Sequence, residues 1–454
     1  MATLAAMLKV KGFEVRGSDQ GIYPPMSDFL TAQGITLLDG YRAEHITSDL
    51  DLVVVGNAIS RGNPEVEEVL DRKIRYASMP EAVRDYFLWG ARSIVVAGTH
   101  GKTTMTSLAG WLLTHGGLDP SVLIGGIAAN FESSFRLGGG RDFVIEGDEY
   151  DSAFFDKTAK FLKYLPDIVV VGNIEFDHAD IYPDLDAIRL AFRRLVNLIP
   201  RAGLLLLGAD HEEALALARH AYCRVETFGL ADRADWQAHS VRVTPASTSF
   251  SLRREGRTFG AFEAPLLGTH NLRNAVAAIA VGAAAGLDAV AMADGLKRFQ
   301  GVRRRLEHRG RARDVDVYDD FAHHPTAIAE TLAGIRSAYP DRRVWAIFEP
   351  RSATSCRRVF QQDFARAFVE GRADEVIVAA VYRAALPESE RLSAADLVRD
   401  LKGLGVRARH IPGVPEIVST VRAEAKPGDL IVIMSNGGFD DIHRRLLAAL
   451  AEAS

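Results

Sequence analysis

The run Arg92-Ser93-Ile94-Val95-Val96-Ala97 has the composition of a buried strand, and it passes without a break into Gly98-Thr99-His100-Gly101-Lys102-Thr103-Thr104. An apolar helical stretch, 104–115, follows at once. Strand, glycine turn and helix in that order place backbone N–H groups around a concavity, and the helix N-terminus adds a partial positive charge, so phosphate is the natural occupant. Lys102 is positioned to reach β- and γ-phosphates, and the Thr103 hydroxyl to ligate Mg²⁺. The spacing departs from G-x-x-x-x-G-K-[ST], which requires glycine where this chain has Val96. Here the first glycine, Gly98, stands three residues before Gly101.

Around this loop the chain reads as three α/β blocks with a largely parallel sheet order. Boundaries are expected at 1–90, 91–301 and 302–454. The first block has a helical stretch at 4–12 that leads into FEVRGSD (13–19), and a buried strand run over 51–59. It opens on a helix, where a dinucleotide-type fold has a strand and a glycine-rich turn. The expectation is that such a strand and loop precede Leu4; the alternative is a domain that never had them. The second block adds strands at 143–146, 168–173 and 204–207, with helices at 185–198 and 271–286. The third has strand-like runs VDVYDD (315–320), VWAIFEP (344–350), EVIVAAV (375–381) and LIVIMSN (430–436), and a helix over 325–338.

With 48% hydrophobic and 25% charged residues, the 454-residue chain is ordinary for a globular protein. Its net charge of −5 and pI near 6.2 argue against broad nucleic-acid binding. Any anionic substrate must therefore be held by local arginines and lysines. No run of about 18 apolar residues occurs, which excludes a membrane-spanning helix. No secretory signal is evident, and two cysteines fit a reducing cytoplasm. A monomer or weak homo-oligomer is expected.

Acidic residues gather at strand ends, where open α/β sheets bind ligands. Glu146-Gly147-Asp148-Glu149 closes one strand, and one of these carboxylates is expected to complete an oxygen shell around Mg²⁺. Asn173-Ile174-Glu175-Phe176-Asp177-His178-Ala179-Asp180 closes another, and His178 in that cluster reads as a site residue. Gly268-Thr269-His270-Asn271-Leu272-Arg273-Asn274 opens an alanine-rich helix; Asn271 suits an adenine edge, or equally a helix N-cap. Arg303-Arg304-Arg305 falls at a block joint, shortly before Asp319-Asp320-Phe321-Ala322-His323-His324-Pro325.

GTHGKTT, the Glu146 strand end, NIEFDHAD, GTHNLRN, RRRLE and DDFAHHPT occur in the order found in the Mur ligase family, and the chain resembles that family over essentially its whole length. The resemblance implies an α/β architecture of three domains: a Rossmann-like UDP-sugar domain, a central P-loop ATPase and a Rossmann-like C-terminal domain. It implies an ATP-dependent amide ligase that uses Mg²⁺ and forms an acyl phosphate on UDP-N-acetylmuramate. Within the family, Ile22–Ser27 (IYPPMS), GNAISRGNP from Gly56, EGDEYDSAFFDK from Glu146 and MSNGGFDDIH from Met434 resemble the branch whose amine substrate is the tripeptide L-Ala-γ-D-Glu-meso-diaminopimelate. The alternatives are the L-alanine-adding branch and a nucleotide-binding protein without ligase activity.

Carried over by resemblance, Lys102, Glu146 and His178 form the catalytic set, and Thr103, Glu146 and His178 hold metal. Gly98, Thr99, His100, Gly101, Lys102, Thr103 and Thr104 cradle phosphates, while Asn271, Asn274, Arg305 and Asp320 contact the rest of the nucleotide. Ser18 and Asp19 lie on the uridine side; His323, His324 and Arg351 lie on the substrate side. Three positions depart from family patterns. Arg193 stands where several relatives carry a carbamylated lysine, Gly147 where Ala is common, and Ala353 where Asn is common.

Overall fold

The structure, a computed structural model, describes residues 1–21, 26–382 and 386–452, so most of the IYPPMS stretch (residues 22–25) lies outside the described residues. The phosphate-loop strand Arg92–Ala97 sits inside a ten-stranded sheet, between Pro166–Val171 and Asp142–Glu146. Seven neighbouring strands of that sheet run parallel: Trp236–Val243, Arg224–Gly229, Leu204–Gly208, Pro166–Val171, Arg92–Ala97, Asp142–Glu146 and Ser121–Ala128. Antiparallel strands extend it on both sides, Thr248–Arg254 and Arg257–Ala264 on one and Ser133–Arg136 on the other.

The near-continuous apolar runs follow from burial on both faces. Side chains alternate along a strand. Ile94 and Val96 therefore enter one core with Leu108 and Leu112 of helix Lys102–His115 and Val276 of helix Thr269–Ala284. Val95 and Ala97 enter the opposite core with Phe192 of helix Leu185–Val196 and with Leu4 and Met7 of helix Ala2–Val10.

Glu307–Ala312, Val315–Asp320, Leu430–Met434, Val344–Phe348, Glu375–Val378 and Arg407–His410 form a second, six-stranded sheet, parallel except for its first strand. Before residue 90 the described strands form two parallel pairs, Arg16–Asp19 with Thr36–Asp39 and Val53–Val55 with Tyr76–Ser78. The strand expected over 51–59 is only Val53–Val55, with Val55 alone buried, because a turn at Asn57-Ala58 ends it.

The carboxyl edges of the two large sheets face each other, and register places the site residues there. Val96 pairs with Glu146 and Ala97 with Val171, so Glu146 and Asn173 emerge beside the phosphate loop. Asp320 pairs with Met434, which pairs in turn with Phe348, so Asp320, Ser435 and Glu349 emerge together on the other side.

Two glycines are required by the loop. At Gly98 (φ +128°) an added Cβ would lie 3.0 Å from the Asn173 carbonyl oxygen; at Gly101 (φ +80°) it would lie 2.6 Å from Asn274 Oδ1. Both backbone conformations are disfavoured for L side chains. Gly101→Ala is therefore expected to destabilise the protein by about 1–3 kcal/mol and to weaken nucleotide binding, because its Cβ displaces Asn274. Denaturant unfolding and nucleotide titration of that variant check this; wild-type values in both would contradict it.

Candidate active site

A cavity of about 630 Å³ lies between the two sheet edges. Thr99, His100, Gly101, Lys102, Thr103, Thr104, Asn271, Asn274, Arg305 and Asp320 all line it, as do Glu146, His178, His323 and His324. Gly98 sits behind this wall, against the Asn173 backbone. Ser18, Asp19 and Arg351 lie outside it: Ser18 donates to Glu65 (2.5 Å), and Asp19 accepts from Tyr41 (2.8 Å).

Lys102 opens the helix, and its ammonium is largely buried, donating to Glu149 Oε2 (2.7 Å) and to the Gly98 carbonyl (2.8 Å). Burial works against its charge, but Glu149, Asp148 and Glu146 outweigh burial and raise its pKa above the ordinary lysine value. The helix that follows has no side-chain N-cap and no acid in its first turn, which leaves its N–H groups and dipole for an anion. Glu149 is 1% exposed and is the shared partner of Lys102 and His178 Nε2 (3.3 Å).

Thr103 Oγ1 donates to Glu146 Oε1 (3.0 Å) and accepts from Arg305 (3.1 Å), while Glu146 Oε2 accepts from the Gly125 N–H (2.7 Å). Burial raises the Glu146 pKa against the pull of Lys102. His178 sits at φ +53° immediately beyond buried Asp177. Burial disfavours its imidazolium, yet Glu149 and Asp177 raise its pKa overall. Asp148, Glu149 and His178 offer three ligating atoms within 4.8 Å of one another.

Asn271 is not an N-cap: it is the third residue of Thr269–Ala284, whose N-cap is Gly268. Its side chain donates to the Leu267 carbonyl (2.8 Å), and Asn274 donates to Asn271 Oδ1 (3.2 Å), so the two amides form one edge of the cavity. Arg305 crosses from the other side, with its guanidinium over the Phe321 ring (4.7 Å). Asp320 accepts from the Leu306 (2.6 Å) and Ala322 (2.8 Å) N–H groups, so it orders the backbone that carries the basic run. Arg193 is on the exposed face of Leu185–Val196 and does not line the cavity.

Several residues that join the two walls escaped the sequence reading. Arg273 pairs with Asp210 (3.1 Å) and with Glu330 (2.9 Å), Thr326 donates to Glu175 (2.6 Å), and Thr354 donates to Asp177. Arg273 sits within GTHNLRN and was within reach of that motif. Glu330 and Thr354 carry no local signal, because only the fold brings them near.

His324 gives a pH signature. Burial, reinforced by the charge of His100, lowers its pKa from 6.5 to about 4. A histidine held neutral in the native state contributes stability that is complete above about pH 6.5 and is lost as pH falls toward 4. At about 1.4 kcal/mol per unit, the loss approaches about 3 kcal/mol. His324→Gln should flatten the stability–pH profile between those values in chelator-containing buffer. An unchanged slope in urea unfolding would contradict this assignment.

Family models match most of the chain: the Mur ligase family catalytic domain over residues 1–87, the Mur ligase middle domain over 96–282 and the Mur ligase glutamate ligase domain over 304–437. The chain is 41% identical over 454 residues to the UDP-N-acetylmuramate–L-alanyl-gamma-D-glutamyl-meso-2,6-diaminoheptandioate ligase of Escherichia coli, covering 100% of this chain and 96% of that one. To the UDP-N-acetylmuramate–L-alanine ligase of Salinibacter ruber it is 35% identical over 443 residues, 96% of this chain and 90% of that one. Among solved structures, a murein peptide ligase from Psychrobacter arcticus superimposes with a TM-score of 0.72 at 35% identity, covering 99% of this chain and 96% of that one. Motif order, fold and full-length similarity agree: the chain belongs to the Mur ligase family, ATP-dependent enzymes that form amide bonds.

Proposed function

We propose that this protein joins the tripeptide L-Ala-γ-D-Glu-meso-diaminopimelate to the lactyl carboxylate of UDP-N-acetylmuramate, in the recycling of peptidoglycan. The observation that carries the reading is full-length similarity at 41% identity to a ligase named for that reaction, with Lys102, Glu146 and His178 all facing one cavity. On this reading, 1–90 bind the UDP-sugar, 91–301 bind ATP, and 302–454 receive the peptide. Substrates of this kind place the enzyme in the cytoplasm.

The metal proposed is Mg²⁺, and the donor set fits it. A hydroxyl and a carboxylate are the hard oxygen donors that Mg²⁺ selects, and Thr103 Oγ1 and Glu146 Oε1 are adjacent on the cavity wall. Thr103 and Glu146 would hold the nucleotide-side ion, with His178 serving a second. When bound, Mg²⁺ supplies fixed positive charge against phosphate oxygens.

A carboxylate is a poor electrophile, so it must first be activated. Its oxygen attacks the γ-phosphorus of ATP, the bond to the β-phosphate oxygen breaks, and ADP leaves an acyl phosphate. The tripeptide amine then attacks the acyl carbon, loses a proton and expels phosphate. The protein's part is to position two anions against each other and to offset their charge. Lys102 supplies charge at the phosphate loop, Arg305 adds it from the facing wall, and the Asn271–Asn274 edge receives adenine. Arg351, stacked on the Tyr382 ring at 3.8 Å, is the proposed grip for a peptide carboxylate. Ser18 and Asp19 are assigned to the uridine side.

Three measurements test this. ADP release with UDP-N-acetylmuramate is expected with the tripeptide and not with free L-alanine; the reverse would favour the L-alanine-adding branch. Lys102→Ala should lower turnover by at least about 10²-fold, and because it leaves buried Glu149 without its cation it should also lower stability, which unfolding measurements separate from the loss of turnover. Glu146→Gln and His178→Ala should both abolish activity, but calorimetry should show Mg·ATP binding weakened more by Glu146→Gln. Equal, unimpaired binding in both variants would remove the two-ion assignment.

A further inference from the structure

A second group of ligating atoms lies at the joint between the two sheet edges, and the ligase reading gives none of its members a metal. His100 comes from the phosphate loop, Glu175 from the loop after Pro166–Val171, and His324 from the N-cap of helix Pro325–Ala338. Each offers one ligand atom, and all three atoms lie within 4.8 Å of one another.

The orientation of His324 decides its chemistry. Its Nε2 lies 3.2 Å from the Phe176 carbonyl oxygen, which can only accept, so Nε2 carries the proton. In the neutral ring Nδ1 is then a bare lone pair. It is buried without a hydrogen-bond partner and faces Glu175 Oε2 at 3.6 Å, in a residue only 6% exposed. A lone pair opposite a carboxylate oxygen is repulsive unless a positive centre lies between them. His100 Nε2 approaches the same oxygen at 3.2 Å.

Those separations have the size of a coordination polyhedron. A tetrahedral ion with bonds of about 2.0–2.1 Å holds its ligands about 3.3–3.5 Å apart. The two measured separations, 3.2 and 3.6 Å, bracket that range. The His100 and His324 ligand atoms lie within 4.8 Å of each other, and His100 is fixed to the loop through its backbone N–H, which donates to Asn173 Oδ1 (2.8 Å). Thr326 donates to the same oxygen, Glu175 Oε2 (2.6 Å), and so fixes the carboxylate between the two imidazoles.

We propose that His100, Glu175 and His324 form a binding site for a divalent transition ion of the Zn²⁺ or Co²⁺ type, fastening the phosphate loop to the third block. Two imidazoles and one carboxylate favour such ions over Mg²⁺, which selects oxygen donors such as Thr103 and Glu146. The site is thus chemically separate from the nucleotide-side set, although both open on one cavity.

The test is a Co²⁺ titration of the full chain in excess Mg²⁺, followed by visible absorption. One equivalent should produce the intense band of tetrahedral cobalt, and Zn²⁺ should displace it. His324→Gln and Glu175→Gln should each weaken Co²⁺ binding by at least about tenfold. His178→Ala, which alters the neighbouring Asp148–Glu149–His178 group, should leave it unchanged. Circular dichroism checks folding of each variant, and His100→Gln on the loop substitutes for any that fails. The proposal is overturned if no saturable band forms, if the band survives the cluster substitutions, or if His178→Ala abolishes it.

Discussion

A buried ammonium sets the terms for the rest of this molecule. Removing an unpaired cation from water costs several kcal/mol, so Lys102 has its place only because anions surround it. Glu149 at 2.7 Å is the direct partner, with Asp148 and Glu146 further along the same strand end. The requirement extends outward. Those carboxylates need the parallel register that brings Asp142–Glu146 beside the phosphate strand, and the lysine needs the two glycine conformations that turn the chain over the Asn173 backbone.

The same logic explains why the two large sheets meet carboxyl edge to carboxyl edge. Strand ends are where polar groups leave the core, and each wall completes what the other leaves unpaired. Asp177 is buried and needs Thr354; Glu175 needs Thr326; Arg273, in the helix that carries the asparagines, is answered by Glu330. Charge-assisted hydrogen bonds of this kind contribute about 1.5–3 kcal/mol each, and losing one partner strands the other. The joint is therefore specified by charge pairing more than by apolar contact, although Phe176 stacks on Phe360 within it.

How much of this was legible in the sequence follows from the range of each interaction. The phosphate loop, the strand ends at Glu146 and His178 and the helix over 325–338 are local patterns, and they stand where the pattern put them. The strand expected over 51–59 was overextended because hydrophobic composition does not register the turn at Asn57-Ala58. The burial of Glu149 has no local signal, because it depends on Lys102, 47 positions away. Asn271 fitted two local roles, and only the position of Gly268 as N-cap separates them. The antiparallel strands Thr248–Arg254 and Arg257–Ala264 went unread, although Thr248–Arg254 alternates buried with less buried residues.

Charge is also distributed unevenly between the walls. The chain carries a net −5, yet Arg303, Arg304, Arg305 and Arg309 gather on the side of the cavity that faces the phosphate loop, while Asp148, Glu146 and Asp177 gather on the loop's own side. At physiological salt, exposed charges are screened beyond about 8 Å, so a polyanion senses this local cluster and not the overall sign. Arg304 is held in place by the Ser435 and Gly437 carbonyls, and Arg305 by its stacking on Phe321. Neither wall alone presents both the cluster of cations and the cluster of acids. Arg351 stands apart from this pairing, on Tyr382 and beside Glu349 (3.5 Å), outside the nucleotide cavity. On the proposed reading that separation has a use. A residue removed from the phosphates meets the far end of a long amine substrate, and a contact that free L-alanine is too short to make is what separates the tripeptide from it.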